Sequence, residues 1–367
     1  MTLPDLKTPL LSILLFLLPL LASAQTKFTI SGKVTGEKGE PMRAATVFIN
    51  GTTRIMPTDN NGTFAFPSLA PGSYQVSVQM LGYHAATATV ELIQRSADIS
   101  ISLKIKPTAL REVVIGNKAN LSEYYSLFKR ELLGESDNGR SCKLLNEEVV
   151  NLTTGRQYLT ADADDFLIVM NNRLGYKIRY QLKSFRHTLG SNYSTIAGDA
   201  VFEEMDGTDK QKKQWAKNRA DTYKGSLRRF LRAVYKGNVL QEGFTVHARF
   251  DEPKNSAPGY LYIDHRPANF DTLTKVVDNA FKTLHFKMMY ANYDPKKAAS
   301  FKNQGEPFKL RRIVRAVTST LLSMDERPVK IDRAGNCIDC NISQNGKWGL
   351  MRLGDQLPSD YKPEGTN

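Results

Sequence analysis

The chain predicts an α+β fold, with short β-strands first and then a mixed domain whose strands pair antiparallel. Two observations carry this. Apolar residues alternate with polar ones from Phe28 onward with turn residues every few positions, and the stretch 209–236 switches to helical spacing. Period two marks half-buried strands, whereas steps of three and four mark one face of a helix.

Ahead of the strands, residues 10–24 form an apolar run behind Lys7 and close on Ala22-Ser23-Ala24. The run is shorter than the ~20 residues of a spanning helix and ends on small side chains, so 1–24 reads as a secretory signal peptide. No Cys comes directly after it, so no lipid tether is expected. The mature chain is expected to carry no transmembrane segment and to reside in the periplasm or at the outer membrane.

Net charge is +13, and the leader holds one base (Lys7) and one acid (Asp5), so the mature chain keeps that excess. Outside the inner membrane the partners suited to it are envelope glycans, anionic lipid head groups at a membrane surface, or another envelope protein. Nucleic acid is not expected there. Three cysteines are too few for a disulfide-stapled scaffold, so buried apolar area must supply stability.

The alternating runs place Phe28, Ile30 and Val34 on one face, then Val47 and Ile49, then Val76, Val78 and Met80, then Val90 and Leu92, then Ile99, Ile101 and Leu103. Gly36, Gly39-Glu40-Pro41, Asn50-Gly51, Asn60-Asn61-Gly62, Pro71-Gly72 and Gly82 punctuate them as turns. Short strands so punctuated make a small antiparallel sandwich. Asp59, Asn61 and Gly62 have some features of a calcium loop, but no Glu closes it, and the tight-turn reading is preferred, with no metal expected.

Gly32-Lys33-Val34, Gly39-Glu40-Pro41, Ala45-Thr46-Val47, Gly51-Thr52, Thr58-Asp59, Gly62, Phe64, Leu69, Pro71-Gly72, Tyr74 and Gly82-Tyr83 resemble the carboxypeptidase regulatory-like domain. That resemblance implies a seven-stranded prealbumin-like sandwich with a carbohydrate-binding-like fold over 25–106, serving as an accessory module for binding, spacing or assembly and not for peptide cleavage. Leu110, Glu112, Val113 and Val114, in a linker over 107–120, resemble the stretch found directly after this domain in TonB-dependent outer-membrane receptors. The chain beyond residue 120 is too short for a plug and a 22-strand barrel, which needs roughly 220 residues in strands alone.

An α+β domain is expected over 121–367. Leu121, Tyr124, Tyr125, Phe128 and Leu132 have helical spacing, with Gly134 as a stop. Strands are expected over 166–170, 176–182, 244–250, 260–263 and 329–331 from their β-branched and aromatic content. Between them, Ala216, Ala220, Tyr223, Leu227, Phe230, Leu231 and Val234 predict one long amphipathic helix over 209–236, with Gly225 permitting a close neighbour or marking a kink and Gly237 ending it. Its flank carries Lys210, Lys217, Lys224, Arg228 and Arg232, a candidate anion-binding stripe or a solvated face. Tyr223, Gly225-Ser226, Arg228, Phe230-Leu231-Arg232 and Gly243-Phe244, with Trp348, Arg352, Asp355, Leu357-Pro358, Asp360-Tyr361 and Pro363, resemble an uncharacterised region found behind this accessory domain in bacterial envelope proteins.

Chemistry is thinly marked. The histidines at 84, 187, 247, 265 and 285 begin no H-E-x-x-H or H-x-x-E motif, and no G-x-S-x-G elbow is present, which disfavours a zinc carboxypeptidase and a serine hydrolase. Asp162, Asp164 and Asp165 are weak catalytic candidates whose opposing carboxylate could come from Glu203, Glu204 or Asp206, although such a cluster is more often a turn entering a strand. Cys337 and Cys340 form a C-x-x-C suited to a loop disulfide or two thiols, lacking the trailing helix of an exchange site, and Cys142 is left over. The leading expectation is an exported, non-catalytic envelope protein that binds or scaffolds, with no cofactor. The alternatives are an envelope glycan or peptide hydrolase and a TonB-receptor-associated accessory protein.

Overall fold

Period-two burial organises the N-terminal part of the computed structural model, which describes residues 27–106, 118–191, 193–251, 260–301, 309–314, 316, 318–338 and 340–363. The expected signal peptide and the 110–114 stretch lie outside these residues. Strands β1 (Phe28–Thr35), β2 (Thr46–Ile49), β3 (Ile55–Pro57), β4 (Thr63–Leu69), β5 (Gly72–Gln79), β6 (Ala86–Leu92) and β7 (Ala97–Ser102) form two sheets, ordered β4-β1-β7 and β3-β2-β5-β6. Ile30, Val34, Val47, Val76, Val78 and Leu92 are fully buried between them. This is the seven-stranded sandwich expected, with one parallel pair, β1 against β7. The Asp59 carboxylate accepts from the Asn61 and Thr63 amides and the Thr63 hydroxyl, and these bonds hold its pKa below the usual carboxylate value. It serves a turn.

Residues beyond 118 pack into two further cores. In the first, helix α1 (Lys118–Leu133) lays Phe128 and Leu132 against a sheet ordered β8-β11-β12-β10-β9 with β13 beside β12. These strands are β8 (Cys142–Leu144), β9 (Val150–Thr154), β10 (Tyr158–Ala163), β11 (Leu167–Asn171), β12 (Tyr176–Thr188) and β13 (Ser194–Glu204). Every pair in this sheet is antiparallel. Alternation in β12 buries Tyr176, Ile178 and Tyr180, and the Phe128 and Phe185 rings meet edge-on at 4.9 Å.

The expected single long helix is two helices, α2 (Asp209–Lys224) and α3 (Leu227–Lys236), separated at Gly225-Ser226. Ser226 supplies the reason. Its hydroxyl accepts from the Arg229 amide and caps a new N-terminus, while the Gly225 carbonyl turns away to accept from the Trp348 indole at 2.7 Å. The break lets the halves serve different cores. Trp215 of α2 sits on the 171–175 turn, donating to the Asn172 carbonyl, where Gly175 has φ +67 and a Cβ would come within 2.2 Å of the indole.

Helix α3 instead feeds the third core, where Phe230, Leu231, Ala233 and Val234 meet Phe244, Met289, Leu322, Val329 and Ile331. The strands here are β14 (Phe244–Phe250), β15 (Tyr260–Asp264), β16 (Thr274–Val276), β17 (Phe281–Leu284), β18 (Met288–Tyr293), β19 (Leu310–Val314), β20 (Ser319–Ser323), β21 (Val329–Asp332), β22 (Cys337–Ile338) and β23 (Ser343–Gly346). They form two antiparallel sheets, ordered β19-β15-β14-β18-β20-β23 and β16-β17-β21-β22. The class is α+β overall. Among the described residues no helix is long and apolar enough to cross a membrane.

Candidate functional site

All three cores meet, through polar groups that the sequence scatters widely and one small apolar cluster of Phe48, Phe166 and Val201. Asp199 of β13, 2% exposed, accepts from Ser77 Oγ at 2.5 Å, Asn50 Nδ2 at 2.9 Å and Thr87 Oγ1 at 3.2 Å, all on the sandwich, and pairs with Lys183 at 2.6 Å. Hydrogen bonds to an ion are worth about 1.5–3 kcal/mol each, and leaving such a carboxylate buried without them is strongly unfavourable. Beside it, Gly51 and Thr52 exchange backbone bonds with Ala200 and Phe202, and the Phe48 and Phe166 rings meet edge-on at 5.4 Å. The sandwich also reaches the third core, because Asp332 accepts from the Ser73 amide and Lys330 pairs with Glu91.

The C-terminal segment ties the cores together. Leu353 is buried in the second core, the Gly354 carbonyl accepts from Asn171, and Asp355 accepts from Ser136 and Asn138. The Ser359 amide donates to Gly51 on the sandwich. Arg232 of α3 donates to the Ser359 and Tyr361 carbonyls, to Ala334 O and to the Tyr223 hydroxyl. One guanidinium thereby holds helix, loop and tail.

Within this junction lies a cavity of about 510 Å³, walled by Asn50, Tyr74, Gln75 and Thr89 from the sandwich, Ala200 and Phe202 from β13, and Tyr223, Leu227, Arg228 and Leu231 from the helix pair. Asn336, Gln344 and Trp348 line it from the third core, and Asp355, Gln356 and Leu357 from the tail. Arg228 Nη1 donates to Asn336 Oδ1 at 2.8 Å, and among the described residues it forms no ion pair. The Arg228 side chain is half-buried and lines the cavity, in reach of small molecules. Desolvation first, and the like charge of Arg232 second, pull its pKa down to about 10, with Asp332 opposing them. It stays a cation at neutral pH.

The expected basic stripe therefore divides, because the break at Gly225-Ser226 re-aims its second half. Lys210, Lys217 and Lys224 are exposed on α2, with Lys224 paired to Asp221, whereas Arg228 faces the cavity and Arg232 is engaged by carbonyls. Across Asp355 lies a second cavity of about 950 Å³ lined by charges of both signs, among them Glu131, Asp137, Arg173, Lys347 and Arg352.

Asp162, Asp164 and Asp165 line neither cavity. Asp164 pairs with Lys106 at 2.9 Å and shares Asn151 with Asp162, while Asp165 accepts from the Phe166 amide. Glu203 pairs with Arg179 and Glu204 with Arg219, across a different part of the sheet. Cys337 and Cys340 are joined in a disulfide, and burial pushes the Cys142 thiol up to about 12. Among the described residues no three His, Cys, Asp or Glu side chains gather as metal ligands would.

One polar chain had no sequence signal. His187 Nδ1 lies 2.7 Å from Ser194 Oγ, which donates to Glu131 Oε2 at 2.9 Å. A hydroxyl has one proton, so Nδ1 must donate to Ser194. A hydrolytic triad places histidine between the acid and the serine, and here serine occupies the middle. The two residues face each other across β12 and β13 at a buried position, where the chain fastens α1 to the sheet.

The carboxypeptidase regulatory-like domain model matches residues 29–104. No curated protein matches the chain. Among solved structures, hydroxyquinol 1,2-dioxygenase from Pseudomonas putida is 11% identical over 23% of this chain and 58% of its own, with a TM-score of 0.20. A minor pilin from Streptococcus agalactiae is 16% identical over 24% of this chain and 48% of its own, also at 0.20. A type II cohesin–X-dockerin complex from Acetivibrio cellulolyticus is 24% identical over 30% of this chain and 78% of its own, again at 0.20. The chain spans less than two thirds of the dioxygenase and of the pilin, and overlaps this loose do not bear on its activity. Residues 29–104 are a carboxypeptidase regulatory-like domain, built into a larger body with two further cores.

Proposed function

We propose that the protein is an exported, non-catalytic component of the cell envelope that binds and scaffolds, with its sandwich acting as a fixed wall and not a tethered accessory. The observation that carries this reading is the buried Asp199, whose partners Asn50, Ser77 and Thr87 all belong to the sandwich. A module meant to swing free has no use for a buried carboxylate that takes three hydrogen bonds from the neighbouring sandwich and only the Lys183 pair from its own core. Export is supported by the leader pattern of 1–24 and by the Cys337–Cys340 disulfide, which an oxidising compartment sustains. The exposed lysines of α2 suit an anionic envelope surface, either glycan or lipid head groups. Fractionation of cells making the protein, with intact mass of the recovered chain, tests the reading. A chain beginning near Gln25 in the periplasmic or outer-membrane fraction is expected, and an uncut chain in the cytosol would overturn it.

A further inference from the structure

We infer that the cavity at the three-core junction is a binding site for a small acidic saccharide, with Arg228 pairing its carboxylate. The volume, about 510 Å³, falls within the ~300–1,000 Å³ typical of small-ligand sites. Its walls come from every core and from the tail, so a ligand there contacts all parts of the body at once.

The chemistry of the walls selects the ligand class. Arg228 is a half-buried guanidinium on the cavity wall, with one hydrogen bond, to Asn336, and no carboxylate partner among the described residues. A partly desolvated cation of this kind is more stable when an anion takes the remaining donors, and a planar carboxylate matches the guanidinium fork. The number of charges argues for a monoanion. Asp332 stands near enough to favour the charged form of Arg228, and Asp355 lines the same cavity, whereas Arg232 spends its donors on carbonyls and the Tyr223 hydroxyl. A doubly charged phosphate would meet those carboxylates with only the Arg228 donors left to bind it.

The remaining polar walls combine hydroxyls, among them Ser73 and Thr89, with the amides Gln75, Gln344 and Gln356, of which Gln75 already accepts from Asn50, and such groups donate and accept as sugar hydroxyls require. Beside them Tyr74 and Tyr223 offer aromatic surface for a sugar ring. An apolar acid would set hydrocarbon against Gln344 and the wall hydroxyls, so a hydroxylated acid fits better than a fatty one.

This inference rests on the binding part of the proposed function and not on export, so calorimetry on purified mature protein can fail while fractionation succeeds. The probes are glucuronate, its methyl ester, glucose, D-alanyl-D-alanine and inorganic phosphate. Glucuronate is expected to bind about tenfold or more tightly than the ester or glucose, and Arg228→Met is expected to remove that difference. The ester comparison needs no variant, so it stands even where Arg228→Met does not fold. Equal binding of glucuronate and ester, tighter binding of phosphate or the dipeptide than of glucuronate, or no heat from any probe would overturn the inference.

Discussion

Asp199 on β13 accepts a 2.5 Å hydrogen bond from Ser77 on β5, residues 122 apart in sequence and on different cores. Removing that carboxylate leaves the Ser77 and Thr87 hydroxyls with only each other at the seam and leaves Lys183 without its partner. Asp199→Ala is therefore expected to lower stability by about 3 kcal/mol in urea denaturation, with Asp199→Asn losing less. A change below about 0.5 kcal/mol, the size of an ordinary surface substitution, would show that the seam does not depend on it.

Gly175 and Trp215 make a second pair whose interdependence is measurable. A methyl group at 175 meets the indole at 2.2 Å and requires a left-handed backbone, so Gly175→Ala is expected to cost about 2 kcal/mol or more. Trp215→Leu makes room, and the double variant should lose less than the sum of the singles in a double-mutant cycle. Strict additivity would mean that α2 is not seated on this turn.

The His247 ring gives the protein a defined response to acid. Burial lowers its pKa below the ordinary 6.5, while Nδ1 donates to the Asp264 and Arg266 carbonyls at 3.0 Å and Nε2 is buried without a partner among the described residues. The unfolded chain binds a proton near pH 6.5 while the folded chain resists it. Stability is then complete above that pH and falls as pH drops through the folded value. Urea midpoints between pH 7.5 and 5 should decline more steeply for the wild type than for His247→Gln, and parallel profiles would contradict this assignment.

Lys210, Lys217 and Lys224 lie along the exposed side of α2. Near an anionic membrane surface each lysine contributes about 1 kcal/mol, an attraction that salt screens. Co-sedimentation of the mature protein with vesicles containing phosphatidylglycerol should fall with the triple alanine variant and with salt. Binding unmoved by either change would assign these lysines to solubility alone.

The sandwich was legible because burial tracks the alternation in β1, and the Gly62 and Gly82 turns announce themselves, although Phe48 of β2 and Ser77 of β5 break the pattern by being buried against the second core. The second and third cores were less so. The helical stripe over 209–236 carried the right period through Gly225, yet a capping serine is visible only once its hydroxyl is seen to accept the Arg229 amide. That one break turned Arg228 and Arg232 inward. The tail gave no periodic signal at all, because it is held by backbone carbonyls and by Arg232, and such bonds leave no spacing to read. Asp199 sits in β13 without any motif around it, and only the pairing of that strand beside Gly51 and Thr52 gives it its partners.

The account depends on the sandwich being held to the other cores by contacts outside the chain connection. A protease site inserted between residues 110 and 111 allows that connection to be cut after folding, and gel filtration at moderate salt then reports whether the pieces part. Co-elution of both fragments at the mass of the intact protein is predicted, with separation only when Asp199→Ala is also present. Separate elution of the two wild-type fragments would contradict the claim.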